Sequence, residues 1–214
     1  TSGGAALYSF THGTLGLGRK HIMAQQGPNP IEAYQGAVQQ INKVMTAVAA
    51  NQLESSTPCA DWNVQSVINH ALAVQKFANG VLSGSEVNGS IMSNVSHPIP
   101  SEGASAALKE ITDTTLATLK TIDMTAVVQT PFGEMPGGQF IMVPIADMII
   151  HTWDLAKSTG QDTTLDAGLA ELGFNVMVNV AEGGRKMGAF GAEVSVPESA
   201  SFQDRMLGLS GRQP

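Results

Sequence analysis

Apolar residues recurring at helical spacing constrain this chain more than any other feature. Ile31, Tyr34, Ala37, Val38, Ile41, Val44, Met45 and Val48 lie three or four positions apart, which puts them on one face of an α-helix. Asn29-Pro30-Ile31-Glu32 marks its start. Asn29 can cap, Pro30 suits the first helical position, and Glu32 can reach back as the capping-box acid. This helix is expected to run to about Leu53. A second, capped by Asn63 and ending near Val81, carries Val64, Val67, Ile68, Ala71, Leu72 and Val74. A third is expected behind a Ser101 cap, with Ala107, Leu108, Ile111, Leu116, Leu119 and Ile122 in phase. Gly137-Gly138 opens a fourth that reaches Ser158 and stops at Gly160, with Pro144 either kinking it or marking its effective start. A fifth spans about Leu165 to Glu182 and is expected to end at Gly183-Gly184, and a short helix covers Phe202 to Leu209.

The segments between are turn-rich. Residues 55–63 form a link, and Asn88 through Pro100 reads as a long loop. Ala126-Val127-Val128-Gln129-Thr130 followed by Pro131-Phe132-Gly133 reads as a strand and turn. The expected class is therefore all-α: a four-helix bundle with an additional short helix and a small β-hairpin insertion. Residues 1–22 differ from the rest, with five glycines, a basic Arg19-Lys20-His21 cluster and the first methionine only at Met23. They are expected to be a leader or non-native extension, and residues 23–214 one helical-bundle domain.

Composition narrows the function. A net charge of −7 opposes binding to a nucleic-acid backbone. The 43% hydrophobic content suffices for one core, and no apolar run approaches the ~20 residues that span a membrane. A single cysteine, Cys59, excludes an internal disulfide framework and any multi-cysteine zinc site. A cytoplasmic protein is expected. Only 14% of residues are charged, which permits a homodimer without specifying its interface.

Five histidines are present, and His70 and His151 fall inside predicted helices on faces that should be buried. Asp147 and His151 are four residues apart and so stack one turn from each other, with Asp154 about 20° to the other side of Asp147. A carboxylate and an imidazole at this spacing can bind one metal ion, and bundles build such sites from inward-pointing side chains on facing helices. His70 is the natural third ligand. Three protein ligands leave a position for water or substrate, as in a catalytic site. The alternative is a hydrogen-bonded Asp–His pair beside a core histidine, and spacing alone leaves both readings open.

Several fragments together carry a resemblance. They are Thr57-Pro58-Cys59-Ala60-Asp61-Trp62-Asn63-Val64 with Asn69-His70, then Pro131-Phe132-Gly133-Glu134-Met135-Pro136-Gly137, then Asp147 through Ala156. The tail adds Phe190-Gly191, Val194 to Pro197, Gln203 to Leu207 and Gly211-Arg212. In this order they resemble the DinB-like metal-binding proteins, in the branch grouped with mycothiol-dependent maleylpyruvate isomerase, from about residue 30 to the end. The resemblance implies a four-helix bundle holding a divalent metal through His70, Asp147 and His151, zinc first and nickel or another ion as alternatives. It also implies mycothiol or another low-molecular-weight thiol, and a small electrophile as the other substrate. Asp147 is one methylene shorter than the glutamate of the isomerase. The isomerase also has a further C-terminal domain where this chain has a short tail, so its particular isomerisation does not carry over.

The expectation is a thiol-dependent transferase or isomerase that activates a thiolate at the metal. Metal-dependent hydrolysis by bound hydroxide and a non-catalytic metal-binding stress or interaction module are the alternatives. Asp154 is expected either to manage a proton or to form a hydrogen bond near the helix end. Cys59, with no base adjacent in sequence, reads as a small buried residue. Trp62 and Trp153 read as packing helix ends, His97 as solvated, and Gly183-Gly184-Arg185-Lys186 as a solvated turn.

Overall fold

The computed structural model describes residues 29–130 and 133–214. The leader expected at residues 1–22 lies outside these, as do Pro131 and Phe132 of the hairpin turn. In chain order the elements are α1 (Pro30–Thr46), α2 (Val64–Leu82), α3 (Ala104–Thr121), β1 (Val127–Thr130), β2 (Gly133–Pro136), α4 (Gly137–Phe140), α5 (Met142–Thr159), α6 (Ala167–Lys186) and α7 (Phe202–Leu209). Short 3-10 turns occupy Ala50–Gln52 and Gly89–Met92.

Four helices close into a ring: α1 packs on α3 and α5, and α2 packs on the same two. Their inward stripes supply the core, with Tyr34 and Ile41 from α1, Ile68 from α2, Leu108 from α3, and Ile145, Met148, Ile149 and Leu155 from α5 all buried. Beyond the ring α6 packs against α5, and α7 against α6. Strands β1 and β2 pair antiparallel with Val127 opposite Pro136 and Thr130 opposite Gly133. Among the described residues no helix is long and apolar enough to cross a membrane.

Asn29 caps α1 by accepting from the Ile31 amide, Asn63 caps α2 by accepting from Ser66, and α7 spans the residues expected of it. The differences have local causes. Helix α1 ends at Thr46 rather than near Leu53, because the Ala47 and Val48 amides tighten onto Val44 and Met45 and the chain continues as the Ala50–Gln52 turn. Ser101 is not the cap of α3. Gly103 holds that position without a side-chain bond, and the Ser101 hydroxyl turns to Glu102. Pro144 sits in the first turn of α5, after an interruption at Ile141, so it marks the start of the long helix and does not kink it. Helix α6 continues through Gly183-Gly184 to Lys186. Gly184 is there for closeness: a Cβ on it would meet the Phe190 ring at 2.4 Å. Arg185 is correspondingly no solvated turn residue, since it donates to the Leu209 carbonyl and pairs with Glu193.

Candidate metal centre

Asn69, buried on α2, donates its amide to the carbonyls of Val95 and His97 at 3.0 and 2.6 Å. These bonds lay the 84–100 loop along the helix and bring the Met92 carbonyl oxygen to 2.6 Å from Nδ1 of His70. A carbonyl only accepts, so Nδ1 donates to it and Nε2 is the nitrogen left to face the interior of the bundle. Nε2 lies 3.4 Å from Oδ1 of Asp147.

Asp147 and His151 stack one turn apart on α5, with His151 Nε2 also 3.4 Å from Asp147 Oδ1. The other ring nitrogen, Nδ1, donates to Oδ2 of Asp154 at 2.9 Å. The two aspartates therefore address opposite nitrogens of one ring. Asp154 is fully buried, and its charge is met by Arg212, whose Nε and Nη2 donate to Oδ1 and Oδ2 at 3.2 and 2.8 Å. Such a fork over a carboxylate is among the stronger ion-pair geometries.

The residues predicted from sequence, His70, Asp147 and His151, are thus brought together, with their donor atoms all within 4.8 Å of one another. Three observations show that they fit a divalent cation. Two ligands about 2.1 Å from a tetrahedral ion stand roughly 3.4 Å apart, which is the separation of each imidazole nitrogen from Oδ1 of Asp147. Oδ2 of Asp147 is buried without a hydrogen-bond partner, although such atoms are normally satisfied. Both histidines are oriented through Nδ1 by an acceptor behind them, the usual support of a metal-bound imidazole.

The electrostatics agree. Two carboxylates against one guanidinium leave a negative centre, which a proton or a cation must offset. For Asp147, burial pushes the carboxyl pKa up, but the charges of His151 and His70 outweigh it and hold it far below the usual range. Burial depresses His151, yet Asp147 and the bonds to both aspartates raise it well above its ordinary value. Asp154 would also rise on burial, and the bond from His151 with the charge of Arg212 lowers it to about 2. Access is one-sided: the side chains of Asp147 and His70 keep 23% and 14% exposure, against 6% for His151 and none for Asp154.

The link between α1 and α2 supplies the near wall. Thr57 accepts from the Cys59 amide and donates to the Trp62 carbonyl, and Asp61 takes a left-handed φ of 66°, which aspartate tolerates. This turn sets Trp62 with its ring centroid 4.6 Å from that of His70 and 6.2 Å from that of His151. Trp62 thus borders the centre, while Trp153 is buried with Lys157 over its ring. His97 is exposed, as expected. Cys59 is not an inert core residue. Its Sγ lies 3.2 Å from Asp154 Oδ2, 3.9 Å from His151 Nδ1 and 2.9 Å from Arg212 Nη2. Cys59, His151 and Asp154 also cluster closely enough for a cation, but the guanidinium already supplies the positive charge there. Sequence reasoning missed Arg212, whose only signal was the Gly211-Arg212 pair of the tail.

Comparisons with known proteins concern the same region. The family model described as the mycothiol maleylpyruvate isomerase N-terminal domain matches residues 34–156, which include His70, Asp147, His151 and Asp154 but not Arg212. Two Mycobacterium tuberculosis proteins, from strains CDC 1551 and H37Rv and each described as uncharacterized, are 32% identical over 144 residues, 66% of this chain and 74% of theirs. Crystal structures of mycothiol-dependent maleylpyruvate isomerase and of a histidine-to-alanine mutant superpose with TM-scores of 0.53 and 0.60 at 15% and 14% identity, covering 80% of this chain and 76% of theirs, a likeness of fold. By the extent of the family match and the identity to the mycobacterial relatives, the chain belongs to the mycothiol maleylpyruvate isomerase N-terminal domain family, with its DinB-like helical bundle.

Proposed function

We propose that this protein is a metal- and thiol-dependent transferase or isomerase, in which His70, Asp147 and His151 hold one divalent ion and a low-molecular-weight thiol of the mycothiol type is the co-substrate. The observation that carries the reading is the pair of imidazole Nε2 atoms turned onto one carboxylate oxygen of Asp147, whose second oxygen has no hydrogen-bond partner. A divalent ion at such a site, with zinc first and nickel as the alternative, supplies a Lewis acid that lowers the pKa of a coordinated thiol or water. The chain's own residues do the positioning. Met92 and Asp154 fix the two imidazoles through Nδ1, and Trp62 walls the open side. Helix α5 and the tail seal the centre behind His151. Cys59, the one cysteine of the chain, is bonded to Asp154 and Arg212 behind the ring of His151, so the attacking group is expected to come from a co-substrate. Asp154, held ionised by Arg212, orients His151 and does not need to exchange a proton itself.

Two measurements test this. Elemental analysis of protein purified without added metal should find one divalent ion per chain, lost in His70→Ala and Asp147→Ala. Retention of stoichiometric metal by both variants contradicts the ligand assignment. Consumption of a low-molecular-weight thiol with an electrophilic probe, run beside ester and amide hydrolysis, should show thiol-dependent turnover that His151→Ala abolishes. Hydrolysis without thiol would favour a metal hydrolase, and metal without any turnover a binding module.

A further inference from the structure

Resting on the metal reading above, we infer that Arg212 is a positioning residue of the centre: through Asp154 it holds the His151 imidazole so that Nε2 faces the ion. The C-terminal segment is then part of the metal-binding machinery, although it lies 58 residues from Asp154 and beyond the region the family model matches.

The placement of Arg212 is built by the chain around it. The segment after α6 folds back, with the Val194 amide bonded to the Gly208 carbonyl and the Arg212 amide to that of Leu207. Gly211 makes the final turn with φ +81°, and a Cβ there would come within 3.1 Å of the Gly191 backbone, so only glycine allows the turn as it stands. The guanidinium is then anchored on its own side by Nη1 donating to the Ser210 carbonyl at 2.7 Å. Its remaining N–H groups have one direction left, onto both oxygens of Asp154 and onto Sγ of Cys59.

A guanidinium only donates. The two-point contact fixes the plane of the Asp154 carboxylate while leaving Oδ2 able to accept from Nδ1 of His151. That acceptor in turn directs Nε2 at Asp147. Without Arg212 the buried carboxylate loses its guanidinium and is left with His151 as its one charge partner, a costly state that it escapes by turning away or drawing in water, and the imidazole loses its support. Outer partners of this kind typically change metal affinity by about 10–100-fold.

The test uses the full chain, stripped of metal and titrated with Zn²⁺ or Co²⁺, as wild type, Arg212→Met, Arg212→Lys, Asp154→Asn and the Asp154→Asn/Arg212→Met pair. Arg212→Met should weaken binding by about tenfold or more. Arg212→Lys should recover part of it, since one ammonium cannot span both oxygens as the fork does. The double variant should bind no more weakly than Asp154→Asn alone. A second readout needs no metal: in ¹⁵N-histidine-labelled protein the Nδ1 proton of His151, held against Asp154, should be protected from exchange in wild type and lose that protection in Arg212→Met. Wild-type affinity with an unchanged resonance in Arg212→Met, or fully additive losses in the double variant, overturns the inference. If wild type binds neither ion, the metal reading fails, while the resonance still decides whether Arg212 holds His151. Should Arg212→Met not fold, Arg212→Lys and Asp154→Asn carry the same comparison.

Discussion

Nδ1 of His70 lies 2.6 Å from the carbonyl oxygen of Met92, so the loop between α2 and α3 orients one of the three candidate metal ligands. His151 is held by side chains instead, through Asp154 and Arg212. The two imidazoles of the centre are therefore supported by separate parts of the chain and fail independently.

The loop is tied down by Asn69. Asn69→Leu keeps the volume but leaves the Val95 and His97 carbonyls without their donor. Chemical denaturation should show a loss of about 1–3 kcal/mol, and Zn²⁺ titration a weaker site, because Met92 is no longer pinned behind His70. Unaltered affinity would mean that the loop does not orient that histidine.

Metal binding should be pH-dependent, in a direction set by His151. Against the opposing effect of burial, Asp147 and Asp154 raise its pKa well above 6.5 in the metal-free protein, so the ring keeps its second proton to higher pH than a free imidazole and a cation must compete with that proton. Affinity should rise as pH is raised from about 6 to 8, with about one proton released per ion. Calorimetry in buffers of different ionisation enthalpy counts that proton. For stability of the metal-free protein the same shift acts in the opposite sense: its contribution is complete below about pH 6.5 and fades as pH climbs through the raised value.

Asp154 acts at the acid end. Its carboxyl is held at about 2 against an ordinary 3.8, so its contribution to stability is present above the ordinary value and is lost as pH falls from about 4 to 2. The shift corresponds to roughly 2 kcal/mol. Denaturation curves of the wild type should therefore weaken more steeply below about pH 4 than those of Asp154→Asn, and parallel curves would refute the pairing.

Two adjacent glycines of α6 should respond differently to alanine. Gly184→Ala drives a methyl to 2.4 Å from the Phe190 ring and should cost about 1–3 kcal/mol. Gly183→Ala meets nothing within 4 Å and should be stabilising by up to about 1 kcal/mol, as expected in a helix interior. Thermal or urea unfolding of the two variants makes the comparison.

The helices were legible because their apolar stripes and the Asn29 and Asn63 caps are local signals. The Asp147–His151 pair was legible for the same reason, one helical turn being a fixed distance. His70 could be nominated because its neighbours Val67, Ile68, Ala71 and Leu72 mark the inward face of α2. The end of α6 was misread because Gly183-Gly184 resembles a stop, and the reason for Gly184, the approach of Phe190, lies outside the helix. Arg212 and Cys59 could not be assigned, since their contacts with Asp154 span 58 and 95 residues and no periodicity links such positions.

The unequal cover over the four polar side chains has a consequence for what can reach them. Among the described residues, His151 and Asp154 are closed in by the bundle and the tail, and the exposed margin of the centre is formed by Trp62, His70 and Asp147. A long co-substrate need thread only its reactive tip through that margin, and its remaining bulk can stay in solvent. At such a margin the bundle selects by the tip of the visiting molecule more than by its overall size.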